Sequence, residues 1–185
     1  MGMSSSSGGR PEGGDEPRVV VRQALPADAR RIREIVAPYA EAGILIEKDL
    51  ITYFESIQEF VVAEVPDGDE WVVVGCGALH VLWDDIGEVR TLAVDRPFLR
   101  RGVGRHVLET LLERARTLGL RRAFCLTFEV DFFAGHGFRT IEGTPVGTDV
   151  YGEMLRSHDD GVAEFLDLAR VKPNTLGNTR MLLEL

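Results

Sequence analysis

Cysteine is scarce: Cys76 and Cys125 are the only two in 185 residues. They stand in separate apolar runs, with no CxxC pair and no third sulfur. Neither a disulfide framework nor a zinc site is implied, no metal is expected, and both read as buried free thiols of a reducing compartment. Long hydrophobic runs are missing too, none approaching the ~18 residues of a membrane span. The opening "MGMSSSSGGRPEGGDEP" lacks the apolar stretch of a secretion signal, so a cytoplasmic protein is expected. Positive charge is the minority sign: 21 Lys and Arg against 30 Asp and Glu give a net charge of -9 and a pI near 5.0. Nucleic acid and anionic membrane, which need a basic face, are therefore set aside as main partners. No Gly-Lys-Ser/Thr follows a glycine-rich turn, which excludes a P-loop. The one Gly-x-Gly at a helix start has Val107 where a dinucleotide fingerprint needs a third small residue.

What is present suffices for a core. With 44% hydrophobic residues, the chain reads as one domain over 18–185, preceded by a disordered tail over 1–17 whose Ser, Gly, Pro and acid cannot offset ordering entropy by burial. "RVVVRQA" reads as a strand and "LPADARRIREIVAPYAEAG" as a helix, with Pro26 in its first turn and Ile32, Ile35, Val36 and Tyr39 on one face. A short helix over "KDLITYFESI" follows. "EFVVAEV", "EWVVVGCGALHVLW" and "IGEVRTLAV" then form an antiparallel meander. "GVGRHVLETLLERARTLGL" is an amphipathic helix with Val103, Val107, Leu108, Leu111, Leu112 and Ala115 in one stripe. "RRAFCLTF" is a strand, "EVDFFAGHG" a short helix, and "FRTIEG" and "RMLLEL" the last strands. The class is α/β (α+β).

The segment "TLAVDRPFLRRGVGRHVLETLLERA" carries the first chemical signal. A helix N-terminus leaves its leading amides unpaired at a positive dipole end, and Gly102 and Gly104 let a ligand approach backbone closely. A pyrophosphate fits that description, with Arg100, Arg101 and Arg105 adding charge. Solvated arginines around an ordinary helix cap are the competing reading.

The strand "VRTLAV", the turn "RRGVG", its helix and the downstream "FFAGHGF" together resemble the GNAT family of N-acetyltransferases, which use acetyl-CoA. The resemblance implies a mixed, mostly antiparallel sheet of about six to seven strands flanked by helices. It also implies a CoA site made by Leu92, Ala93 and Val94 as a pairing strand, by Arg100, Arg101, Gly102, Val103, Gly104 and Arg105 at the pyrophosphate, and by Phe132 and Phe133. Two departures stand out. Leu99 replaces the family's Gln or Arg, moving phosphate contacts onto backbone amides. Phe133 replaces a Tyr whose phenol often protonates the leaving thiolate.

"GILIEKDL", "CGALHVLWDDIGEVRTLAV", "CLTFEVDFFAGHGF" and "EFLDLARVKPNTLGNTRMLLEL" resemble, more closely, the short N-acetylglutamate synthases of arginine biosynthesis. That implies transfer of an acetyl group to the α-amino group of L-glutamate. Lys48 falls where such synthases carry a carboxylate-binding arginine. Lys172, Asn174, Asn178, Thr179 and Arg180 form a polar cluster, Thr179 and Arg180 aligning with a Ser-Lys pair.

The residues themselves allow this acceptor. Period 2 puts Glu88, Arg90, Leu92 and Val94 on one strand face, Glu88 and Arg90 ~7 Å apart, as a base beside a carboxylate anchor or as a cross-strand ion pair. Glu88 would take a proton from the incoming ammonium; a backbone N–H near Leu92 would hold the oxyanion. Thr127 could bond the amine or a water, and His80 could relay a proton. Glutamine or another amino acid as acceptor, or a noncatalytic acyl-CoA sensor, stays open. So does a homodimer through the apolar C-terminal strand.

Overall fold

A computed structural model describes residues 18–171 and 176–185. The segment 1–17, read above as a disordered tail, and the candidates Lys172 and Asn174 lie outside the described residues.

The apolar runs form a seven-stranded sheet: β1 (Val20–Gln23), β2 (Phe60–Asp67), β3 (Glu70–Val81), β4 (Ile86–Val94), β5 (Arg122–Thr127), β6 (Arg139–Thr140) and β7 (Thr179–Glu184). Their spatial order is β1-β2-β3-β4-β5-β7-β6. Every neighbouring pair is antiparallel except β4 with β5. The expected meander is β2-β3-β4, its first turn made at Gly68 with φ 62. The apolar C-terminal strand is not a free edge. β7 inserts between β5 and β6, paired along its length with β5 and at Met181 and Leu182 with β6.

Helices cover both faces. The stripe predicted for α3 (Val103–Thr117) is buried in full, and its Leu108 and Leu111 are fully enclosed, each worth about 1.5–3 kcal/mol of apolar burial. Bare backbone in β3 lets α3 come this close: a Cβ on Gly75 or Gly77 would lie 2.7 Å from a methyl of Val103 or Val107. On the opposite face α1 (Ala29–Glu41) and α2 (Leu50–Glu55) bury Ile32, Ile35, Val36 and Tyr53. The short α4 (Val130–Gly135) follows β5. Two further helices, α5 (Thr148–Met154) and α6 (Asp160–Phe165), were not anticipated. They are too short for a periodic signal, and a third apolar cluster of Met154, Phe165, Phe124 and Leu182 holds them to β5 and β7.

Two irregularities in β4 position the site. Its parallel ladder with β5 runs only from Ile86 to Glu88, opposite Arg122 to Phe124, so the two strands part beyond Glu88. Against β3, the pairing steps from Cys76↔Ala93 to Ala78↔Arg90, and Thr91 sits at φ 55. One extra residue on β4 is a β-bulge, and it resets the alternation of faces. Leu92 and Val94 therefore turn toward α3, within 3.8 Å of a Cβ built on Gly104, whereas Glu88 and Arg90 turn to the other face. The period-2 expectation that all four share one face is corrected: it holds within each pair and fails across Thr91.

Candidate active site

On the α3 side of the fork, a 3-10 turn at Arg96–Phe98 leads into the loop before the helix. Arg100 and Gly102 both have left-handed backbone, φ 62 and φ 78. The helical ladder begins with the His106 N–H bonded to the Gly102 carbonyl at 3.1 Å, so the amides of the first turn project beyond it. Leu99, Arg100 and Arg101 are exposed. Arg101 lies over the Phe98 ring at 5.6 Å, and the Arg105 guanidinium reaches back to within 3.7 Å of a Cβ built on Gly102. The loop thus gathers cationic side chains and outward amides around glycines, the donor set an anionic phosphate requires.

The other residues expected here divide. Val103 is core, 1% exposed, and could offer only backbone. Ala93 packs its side chain toward α1, and the Val94 carbonyl already accepts the Tyr39 hydroxyl at 2.5 Å. Phe133 is buried and stacks edge-on with Phe132 and Phe138. Of the two phenylalanines, Phe132 is the one bordering Gly104; Phe133 is a core residue, a correction that follows from the turn of α4 carrying it inward.

On the opposite face, a cavity of about 600 Å³ opens beside the fork, lined by Lys48, Glu88, Arg90, Asp159, Gly161, Glu164 and Asn178 among others. Glu88 is 3% exposed. Its Oε2 accepts from Arg90 Nε at 3.0 Å, and Arg90 in turn donates both Nη groups to Asp159, at 3.2 and 3.1 Å. Asp159 is also the N-cap of α6, accepting the Val162 N–H at 2.9 Å. The guanidinium lies against bare backbone, since a Cβ on Gly161 would fall 2.6 Å from Arg90 Nη2. Arg90 is therefore enclosed by two carboxylates. The expectation of a free carboxylate anchor is corrected to a residue that orients Glu88 and ties β4 to α6.

The protonation states follow. Burial pushes the Glu88 carboxyl up against the pull of Arg90. Burial also raises Asp159, but bonds from Arg90 and Val162 outweigh it and hold that carboxyl down at about 2. Lys48, in the loop before α2, is lowered by burial and by the charge of Arg90. It is a cation of this cavity that is not in an ion pair with Glu88 or Asp159. Glu164 is pushed up to about 7 by burial and then by the charge of Glu88.

The tail candidates are dispersed. Asn178 lines the cavity. Arg180 does not: it donates to the carbonyls of Gly143, Glu164 and Phe165 at 3.1, 3.0 and 2.5 Å and lies over Phe124. Its assignment to the substrate is corrected to that of a clamp on the end of α6. Thr179 pairs with Thr127 across β7 and β5, and the Thr127 hydroxyl accepts the Glu129 N–H at 2.8 Å, fixing the turn into α4. His80 pairs across the ladder with Glu88, and its Nδ1 lies 2.7 Å from Glu59. Asp159, Gly161 and Glu164 were missed. The Ser and Asp residues of "SHDDGVAEF" announce a helix start, but nothing local names the arginine 69 positions earlier that Asp159 meets.

The model of the acetyltransferase (GNAT) family matches residues 29–138. An amino-acid acetyltransferase of Mycobacterium tuberculosis is 57% identical over 170 residues, which span 91% of this chain and 95% of that protein. A crystal structure of a Mycobacterium tuberculosis protein in complex with CoA and a second ligand superposes with a TM-score of 0.86 at 57% identity, covering 90% of this chain and 99% of the other. An N-acetylglutamate synthase of Neisseria gonorrhoeae, complexed with coenzyme A and N-acetyl-glutamate, gives a TM-score of 0.70 at 25% identity, over 92% of this chain and 36% of the other.

Proposed function

The chain belongs to the GNAT acetyltransferase family, and from that premise we propose that its acceptor is L-glutamate, acetylated on the α-amino group as the first step of arginine biosynthesis. It is an N-acetyltransferase of the amino-acid type, with acetyl-CoA as cosubstrate. The observation that carries the acceptor class is the cavity beside the β4–β5 fork, where Lys48 and the buried Glu88 face the same space. An amino acid needs a cation for its α-carboxylate and a base for its ammonium.

Acetyl-CoA lies along β4 beyond the bulge, its pyrophosphate at the loop before α3 and its thioester toward the fork. Lys48 pairs with the α-carboxylate. Glu88, aimed by Arg90, accepts a proton from the ammonium; its raised pKa makes it a stronger base than an ordinary carboxylate. The freed amine attacks the thioester carbonyl, the new N–C bond forms, and the C–S bond breaks after the oxyanion has been held by an amide at the Thr91 bulge. With Phe133 in the core, the second proton shed by the new amide nitrogen passes through solvent to the departing thiolate, while Glu88 returns the first to solvent.

Glutamine is a second reading, favoured by charge. The cavity wall carries Glu88, Asp159 and Glu164, while Arg90 is already matched by two of them. That leaves Lys48 to balance one substrate carboxylate, and a neutral amide meets less repulsion than a second carboxylate. Thiol release from acetyl-CoA, followed against a panel of the standard amino acids, separates the readings. Glutamate highest supports the proposal, glutamine highest replaces it, and release with neither overturns both.

A further inference from the structure

Glu164 has no part in the chemistry above, yet it is only 7% exposed and lines the acceptor cavity. Its Oε1 is buried with no hydrogen-bond partner among the described residues. A buried carboxyl oxygen left without a partner has given up its hydration with nothing in return, so its retention calls for a reason. The backbone beneath it is fixed: Arg180 grips the Glu164 and Phe165 carbonyls, and Asp159 caps the same helix while holding Arg90. The side chain thus reaches the cavity from α6, a different wall from the strand bearing Glu88 and the loop bearing Lys48.

We propose that Glu164 reads the end of the acceptor's side chain and makes the choice between a terminal carboxylate and a terminal amide depend on pH. The inference deepens the acceptor reading above and rests on it. In its protonated form Glu164 donates a hydrogen bond to either a carboxylate or an amide oxygen. In its ionised form it accepts from an amide N–H but repels a carboxylate. Burial and the charge of Glu88 bring this change to about pH 7. Glu47, Lys48, Asp49, Glu88, Arg90, His158, Asp159 and Asp160 also line the cavity. Their charges are the same in the wild type and in Glu164→Gln, so comparing the two ratios isolates the carboxyl of Glu164.

The test is the ratio of kcat/KM for glutamine to kcat/KM for glutamate, measured from pH 6 to 8.5 on the full chain with saturating acetyl-CoA. Because kcat/KM reports groups of the free enzyme, the ratio should rise about tenfold across pH 7, mainly through the KM of glutamate. In Glu164→Gln, which keeps the shape and a neutral donor, the ratio should stay flat within about twofold. A flat wild-type ratio, or an equal rise in the variant, overturns the inference while leaving the acceptor reading intact. Acetylation of neither amino acid at any pH overturns the reading, and this inference with it.

Discussion

The loop entering α3 and the cavity beneath α6 flank one fork in the sheet, yet they are assembled differently. From β4 to the first turn of α3 the chain is continuous, and the chemistry it offers is backbone amide, glycine and exposed arginine. The cavity draws Lys48, Glu88 with Arg90, Asp159 with Glu164, and Asn178 from four separate segments, and its chemistry is side-chain charge in a buried setting. A phosphate can be held by any backbone that presents amides at a helix start. Distinguishing one amino acid from another needs particular side chains at particular places, and only tertiary structure brings those together.

If the two regions are separable, changes in one should leave the other's Michaelis constant alone. The largest effect belongs to Glu88→Gln. Removing the base should lower kcat by about 10²–10⁴ with the KM for acetyl-CoA unchanged. The wild-type rate should fall as the pH drops through the raised pKa of Glu88, since only the ionised carboxylate accepts a proton, and the variant should lack that limb. A parallel rise in the KM for acetyl-CoA would mean that cavity and loop are one unit. Lys48→Met comes next. Loss of a charge-assisted bond worth about 1.5–3 kcal/mol should raise the KM for the amino acid about 10–150-fold, read by steady-state kinetics in each substrate.

The same contrast governs what could be read in advance. The α3 stripe, the meander and the glycine turn are local patterns, and they stand in the structure as expected because a period or a turn needs no distant partner. Glu88 and Lys48 were found from a strand pattern and a resemblance. That Arg90 is enclosed by Asp159, and that Arg180 holds backbone carbonyls, depends on contacts across 69 and 37 positions. Thr91 misled the reading of faces for a similar reason. A β-branched residue is an unusual occupant of φ 55, so nothing in its identity announces the bulge. The helix that Asp159 caps and that carries Glu164 is 6 residues long, below the length at which periodicity speaks.

The smallest effects lie on the loop, where a pair of alanine substitutions sharpens the contrast from the other side. Gly102 sits at φ +78, and a Cβ there meets nothing closer than 3.7 Å. Gly102→Ala therefore costs backbone strain, about 1–2 kcal/mol, without a steric clash. It should lower the Tm by about 2–8 °C and raise the KM for acetyl-CoA several-fold, because the strain is relieved by shifting the amides proposed to face the phosphates. Leu99 is 47% exposed, and its own N–H is engaged with the Arg96 carbonyl at 3.3 Å. Leu99→Ala keeps the backbone and removes only an apolar side chain, so the KM for acetyl-CoA should change by less than about twofold, within the ±0.5 kcal/mol of an ordinary surface site. A larger change at Leu99 than at Gly102, measured by titrating acetyl-CoA at saturating amino acid, would transfer phosphate binding from backbone to side chain. The loop would then work by the same means as the cavity.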